Sequence, residues 1–414
     1  MMTFILICLG LMLVLNIFSS YIPFLNYLDE FIPFVLMLIY LVKQIQSGFS
    51  KKIEGKKFIL VILLLLLFII GLYADIKYKY FNGSVVIVKD MIAFYKMFIT
   101  ILSLDYLIKE IPKRKFEKFL TFCYVYVGIM FACLVLNFIP GINIFSSGEY
   151  RHGIKTYQFL FTHPTFLVAS TVPLLMFIHL SKRKHRKLFI FFTILITLSS
   201  LRTKGVVIVL IYIALLLYQK LKKCFTKPSF QLVKGVVYAF AFVAIYVATS
   251  VKITQYLAYG IAAARPALYM VGFQIMKENA PIGSGFGTFA SSLSGEYYSI
   301  VYTKYNISHV TGLTPEKYNY MADTFWPYVY GQFGIAGLIF YIGALAICCS
   351  IILKKCKNKE TKACVFLLMS YLLFASFVES IMTNDSIILY ILSIYVFISY
   401  DLHLTKNRLK EKKE

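Results

Sequence analysis

Apolar residues in this 414-residue chain fall into separate blocks of about twenty, each set off from the next by charged and polar punctuation. An α-helix of that length is what crossing roughly 30 Å of hydrocarbon requires, at about 1.5 Å per residue. The pattern therefore prescribes an all-α polytopic integral membrane protein. Spans are read at 2–20, 28–42, 58–74, 85–105, 118–139, 158–180, 187–201, 205–220, 231–251, 322–350, 362–380 and 383–403. That makes about twelve transmembrane helices. The blocks at 187–201 and 205–220 also read as one tightly turned hairpin, and 28–42 opens on Asp29 and Glu30, so the count runs from about ten to twelve. Composition agrees: 59% of residues are hydrophobic and only 15% charged, against roughly 25% charged in an ordinary soluble domain.

A formal net charge of +24 would suggest nucleic acid in a soluble protein, but here the placement of the cations decides. Lys43 to Lys57, Lys109 to Lys118, Lys182 to Lys187, Lys220 to Lys234, Lys354 to Lys362 and Lys406 to Lys413 hold five basic residues each, thirty of the forty-three. These clusters occupy every second connection, so the positive-inside rule puts them, and both termini, in the cytoplasm. No nucleic-acid partner is expected. The connections near 21–27, 75–84, 140–157, 202–204, 252–321 and 381–385 are then outside. The first apolar block lacks a basic leader and a small-residue cleavage pattern, and is read as a retained span. Cys8, Cys123, Cys133, Cys224, Cys348, Cys349, Cys356 and Cys364 all fall in spans or on the cytoplasmic side, which argues against a disulfide framework outside. Their spacing fits no zinc site, and no metal is expected.

The organisation is lopsided: a membrane domain of about nine spans over 1–251, a long extracytoplasmic loop at 252–321, three spans in 322–403 and a basic cytoplasmic tail at 404–414. No internal repeat is found, which weighs modestly against a transporter, and so long a connection usually carries function or structure of its own. Within it Leu268, Val271, Ile275 and Met276 recur at helical spacing, with Pro266 in the first turn, predicting a short helix at 264–279 that lies along the membrane surface. Gly283, Gly285 and Gly287 follow in a turn whose backbone N–H groups can approach a ligand closely. A flexible turn closing a helix explains them as well. Tyr297, Tyr298, Tyr302, Tyr305, Tyr318 and Tyr320 read as an interfacial belt, or as platforms for sugar rings.

The informative charges are the cations on the wrong side. Arg151, Arg202, Lys204 and Arg265 sit in three different outer connections close to span ends. Any one of them is explained by lipid headgroup contact; together the arginines suggest a shared anion, because a guanidinium fork matches phosphate oxygens. His163 opens a span before Pro164, and a lone histidine there is commonly structural. His309 has no acidic partner nearby in sequence. Lys89 and Lys96, seven residues apart on one helix face, sit within a span with Asp90. An internal ion pair with Asp90 is the plain expectation, a wet cavity the alternative.

Several of these residues, taken in order, resemble the superfamily of O-antigen ligases and Wzy-type O-antigen polymerases. The resemblance is carried by Arg151 and Gly153, His163-Pro164 opening a span, Leu201-Arg202 at an outer hairpin, and Arg265 followed by Pro281-Ile282-Gly283-Ser284-Gly285-Phe286-Gly287-Thr288-Phe289. Asp323, eleven residues before Gly334, is similar to the position at which the family's span after the long loop opens with His or Asn. The likeness covers roughly 150–340. Asp323 stands where a ligase is expected to carry histidine, which favours a polymerase, while Met276 occupies the glycine position of the polymerases' Arg-x10-Gly spacing.

The resemblance implies a glycosyltransferase of the bacterial cytoplasmic membrane that joins undecaprenyl-diphosphate-linked sugar repeats at its outer face, making capsular or O-antigen-type polysaccharide. It implies catalytic roles for Asp323, Arg265 and Arg202, substrate binding by Arg151, Lys204, His163, Gly283, Gly285 and Gly287, and no cofactor. Partners beyond membrane lipid and lipid-linked glycans would be a flippase and a chain-length regulator. The alternatives are a ligase of the same superfamily and a lipid-linked oligosaccharide flippase. A flippase needs cations lining a central cavity, which only Lys89 and Lys96 could supply. A peptidoglycan polymerase of the shape-and-division type is a third, but its motif residues are not found.

Overall fold

The computed structural model describes residues 1–19, 21–48, 54–139, 144–151, 153–224, 250, 254–256 and 258–411. The segment expected at 231–251 lies outside these residues, Ser250 apart. In chain order the helices are α1 (Met2–Phe18), α2 (Leu28–Gln46), α3 (Gly55–Tyr78), α4 (Ser84–Leu107), α5 (Lys113–Leu136), α6 (Pro164–Leu180), α7 (Arg186–Ser199), α8 (Thr203–Cys224), α9 (Ala264–Glu278), α10 (Ser292–Glu296), α11 (Ile300–Lys304), α12 (Trp326–Lys355), α13 (Lys359–Ala375) and α14 (Ser386–Glu411). Each of the other expected spans coincides with a helix. Among the described residues, five stretches are long and apolar enough to cross a membrane: Pro23–Gln46, Gly55–Tyr78, Lys113–Leu136, Trp326–Lys355 and Ser386–Asn407. The apolar stretches Met2–Phe18, Pro164–Leu180 and Thr203–Tyr218 are shorter. α4 has 24 residues but carries Lys89, Asp90, Lys96 and Asp105.

Outward faces are as apolar as the interior. Phe34, Ile69, Ile129, Phe191, Ile339 and Phe366 are each at least half exposed. In water such a surface would drive aggregation; lipid tails remove that penalty, since they are as apolar as leucine. The chain is a mostly helical membrane protein.

Helix α12 organises the centre, packing on α3 and α9. It is broken at Gly334, where φ 64° and ψ −165° interrupt the helical ladder. A break inside an apolar bundle exposes backbone groups that need partners, and the glycine-rich turn supplies them. Ser284 N–H donates to Gly331 O at 3.0 Å, Gly285 N–H to Gln332 O at 2.9 Å, and Ala336 N–H to Pro281 O at 3.1 Å. The turn continues inward: Phe286 N–H donates to Asp75 Oδ2 at 3.1 Å, and Gly287 N–H to Asp90 Oδ2 at 2.9 Å and Gln332 Oε1 at 3.1 Å. Tyr328 donates its hydroxyl to the same Asp90 oxygen at 3.0 Å.

Gly285 is required for this arrangement. Its φ is +98°, and a Cβ there would stand 2.1 Å from Asp75 Oδ1. Gly285→Ala is expected to destabilise the protein by about 2–5 kcal/mol, combining backbone strain with overpacking. Gly148→Ala, where a Cβ meets nothing within 4 Å, is the control. Thermal unfolding of the two variants in detergent tests this, and equal melting temperatures would refute it.

Several expectations are corrected. Lys96 pairs with Asp29 of α2 rather than with Asp90, and Lys89 reaches Glu296 at 3.4 Å and Tyr297 Oη at 2.9 Å. Asp90 is committed to the glycine turn and Tyr328. The apolar stripe of α9 packs on protein: Leu268, Val271 and Ile275 are buried where α9 meets α12, while Met270 and Phe273 stay exposed. Tyr302, a candidate sugar platform, is fully buried and accepts the Ala290 N–H at 2.9 Å. The all-α expectation misses one small sheet, β1 (Ser146–Arg151) antiparallel to β2 (Ile154–Tyr157). Strands of six and four residues are too short for hydrophobic alternation to announce them.

Candidate functional site

The β-hairpin, the start of α6, the α7–α8 link, the start of α9 and the loops before α12 and α14 come together at one end of the bundle. Their side chains form two linked centres. His163 caps α6: its Nδ1 accepts the Thr165 N–H at 3.2 Å, and Pro164 follows at a position that needs no N–H partner. Arg202 leaves a tight link in which Leu201 takes a left-handed φ of 49° and Ser200 Oγ accepts the Arg202 N–H at 3.3 Å. One terminal nitrogen, Nη2, therefore reaches both Glu149 oxygens, at 3.1 and 3.0 Å, and lies 3.1 Å from His163 Nε2. Arg151 meets the same carboxylate at 3.4 Å.

In the second centre Arg265, in the first turn of α9, pairs with Asp323 at 3.0 Å and donates to Tyr256 Oη at 2.7 Å. Lys204, buried at the start of α8, pairs with Glu379. Asp323 and Glu379 are held in register by backbone and indole bonds. Phe325 N–H donates to Ser376 O at 3.2 Å, Ser380 N–H to Ala322 O at 3.1 Å, and Trp326 Nε1 to Ser376 Oγ at 3.0 Å. The centres feel one another: the Arg265 charge acts on Arg202 and on Lys204, and Glu379 acts on Asp323.

Four cations, Arg151, Arg202, Lys204 and Arg265, face three carboxylates, Glu149, Asp323 and Glu379, leaving one net positive charge. Burial, with the Arg202 charge adding to it, pushes His163 down to about 4, so the ring is neutral at pH 7. Burial works to raise the Glu149 carboxyl, but Arg202 and Arg151 outweigh it and hold it below its ordinary value. Asp323 moves the other way: burial lifts it above the usual aspartate value despite Arg265. Burial acts to lower Arg265, and Asp323 and Tyr256 more than reverse this, so the guanidinium stays charged. Chemically the cluster can bind a multiply charged anion and holds a carboxylate poised to take a proton.

Arg151, His163, Arg202, Lys204, Arg265 and Asp323 are thus gathered in one place. Gly283, Gly285 and Gly287 are elsewhere, inside the bundle, with the N–H groups of Gly285 and Gly287 bonded to Gln332 and Asp90. Sequence reasoning missed Glu149 and Glu379 as members. An acid at the end of the apolar block 362–380 was the available signal for Glu379. For Glu149 there was only its place two residues before Arg151. Compared with protein-family models and with curated proteins, the chain matches none.

Proposed function

We propose that the protein is a membrane glycosyltransferase that polymerises undecaprenyl-diphosphate-linked oligosaccharide repeat units into capsular or O-antigen-type polysaccharide at the outer face of the bacterial cytoplasmic membrane. In this reading the chain has twelve spans, both termini are cytoplasmic, and the site described above faces outward. The observation that supports it best is the convergence of Arg151, Arg202, Lys204 and Arg265 from three distant outer connections on the linked carboxylates Glu149, Glu379 and Asp323. A basic cluster of this kind suits a diphosphate.

In the reaction an acceptor hydroxyl of one repeat unit attacks the anomeric carbon of the lipid-linked glycan. The bond from that carbon to the diphosphate oxygen breaks, and the electron pair leaves with the lipid diphosphate. Asp323 accepts the hydroxyl proton, and Arg202 and Arg265 stabilise the charge that develops on the leaving group. The donor is already activated, so the scheme draws on no cofactor. A flippase upstream and a chain-length regulator alongside are the proposed partners. The flippase reading of this chain is weakened, because Lys96 is neutralised by Asp29 and Lys89 lies beside Glu296.

Deletion of the gene tests the reading through the extracted polysaccharide and lipid-linked intermediates. Long chains are expected to disappear while a single lipid-linked repeat accumulates on the outer face. Repeats trapped on the cytoplasmic face would mean a flippase, and unchanged glycan would overturn the proposal.

A further inference from the structure

His163 and Arg202 present an unbalanced contact. His163 Nδ1 accepts the Thr165 N–H at 3.2 Å, so a neutral ring carries its proton on Nε2. That nitrogen stands 3.1 Å from Arg202 Nη2. Guanidinium nitrogens only donate, so two donors face each other and both need an acceptor oxygen. Among the described residues the carboxylate they share is that of Glu149. Its Oε1 serves Arg202 at 3.1 Å but lies 3.7 Å from His163 Nε2, beyond hydrogen-bond reach. Arg202 Nε, also buried, finds no partner among the described residues. One carboxylate thus undersupplies a set of donors spaced for an anion with more oxygens. Glu149 is carried on the exposed stretch 148–150 of β1 and its side chain is 46% exposed, whereas Arg202 and His163 are fixed by a helical link and a helix cap.

We propose that Glu149 is an internal competitor for a phosphate subsite: one phosphate of the lipid diphosphate displaces its carboxylate and takes the Arg202 and Arg151 guanidinium groups together with the His163 Nε2–H. The inference rests on the reading of this cluster as the diphosphate site. It assigns His163 the role of a neutral donor, and it makes the exposed Glu149 side chain the group that yields when the lipid diphosphate binds. A phosphate has oxygens for Arg202 Nε, Arg202 Nη2 and His163 Nε2 at once, which a carboxylate 3.7 Å from the ring lacks.

The test is titration of full-length protein in nanodiscs with inorganic pyrophosphate. Glu149→Gln is expected to tighten binding about five- to tenfold, and Glu149→Ala at least as much. Glu278→Gln, which neutralises another outer-segment carboxylate that accepts from Gln274 and Tyr305, is the control for general charge and is expected to shift binding less than about twofold. Adding His163→Phe to Glu149→Gln should erase the gain, whereas His163→Gln, which keeps a donor, should retain part of it. Unchanged or weaker binding in Glu149→Gln, with the wild type still binding, overturns the competitor role and leaves the diphosphate site standing. Failure of every variant and the wild type to bind pyrophosphate overturns both.

Discussion

On the proposed polymerase reading, Arg265→Ala is expected to lower polymer formation about 100- to 1000-fold at an unchanged level in the membrane, the loss typical of removing one preorganised donor to developing negative charge. Arg265 is held by Asp323 at 3.0 Å and Tyr256 at 2.7 Å, so its fork is already oriented before any substrate arrives. Arg265→Lys should fall between, since a lysine keeps the charge but loses the planar pair of donors. Truncation also strips Asp323 of its partner, and a purely structural role would show as a lower melting temperature. The double variant Arg265→Ala with Asp323→Asn reads the stability part alone, because Asp323→Asn by itself already slows turnover. Removing both charges is expected to recover stability lost by the single change, so a turnover deficit of Arg265→Ala larger than its loss of folded protein marks the functional part. Assay of purified proteins on lipid-linked repeats, with membrane levels checked by immunoblot, reads the result. Retained turnover in Arg265→Ala would remove this arginine from the mechanism.

What the sequence made legible was set by how local each signal is. A span is local, because twenty apolar residues in a row declare themselves, and the helices of the described chain stand where those blocks do. A misplaced cation is nearly as local, since Arg151, Arg202 and Arg265 stand outside the six clusters that hold thirty of the forty-three basic residues. Arg151 meets Glu149 two residues away, but the partners of most of these cations are not local. Lys96 sits beside Asp90 in the chain, yet its counter-ion Asp29 is 67 residues away. Glu379 is 175 residues from Lys204. Helical periodicity reports that a residue is inward-facing, not which side chain it meets there.

The glycine turn shows a different ambiguity. A run of glycines says that backbone must come close to something, and the same freedom serves a ligand or another segment of chain. Here the other segment is α12, broken at Gly334, and the two irregular stretches satisfy one another's hydrogen bonds. Neither break nor turn makes sense alone in an apolar interior, where an unpaired N–H costs several kcal/mol, roughly. The pairing also fixes the start of α12, and through Trp326 and Phe325 it fixes the loop carrying Glu379. The buried turn thus supports the site from below while contributing no group to it.

Asp323→Asn is expected to slow turnover by about 10²- to 10⁴-fold, the range for loss of a positioned general base. The asparagine keeps the size of the side chain and still accepts from Arg265, so assembly of the site should persist. The groups that face Asp323 are Arg265, Glu379 and Lys204. Burial, reinforced by Glu379, raises its pKa above the ordinary aspartate value, while Arg265 and Lys204 oppose the rise. A base works only when deprotonated, so the rate of the wild type should fall as pH drops through this raised value. A proton bound there removes the acceptor for the hydroxyl proton. In Asp323→Asn that acid limb should vanish and leave a flat residual rate in the same window. His163, held down to about 4 by burial, is left in place in Asp323→Asn, so loss of the limb in that variant assigns it to Asp323 rather than to the ring. Glu149 lies below its ordinary carboxylate value. Glu379→Gln offers the contrasting case: removing a neighbouring negative charge should shift the limb to lower pH without abolishing turnover. A limb that persists unchanged in Asp323→Asn would transfer the role of base to another carboxylate, with Glu379 the first to examine.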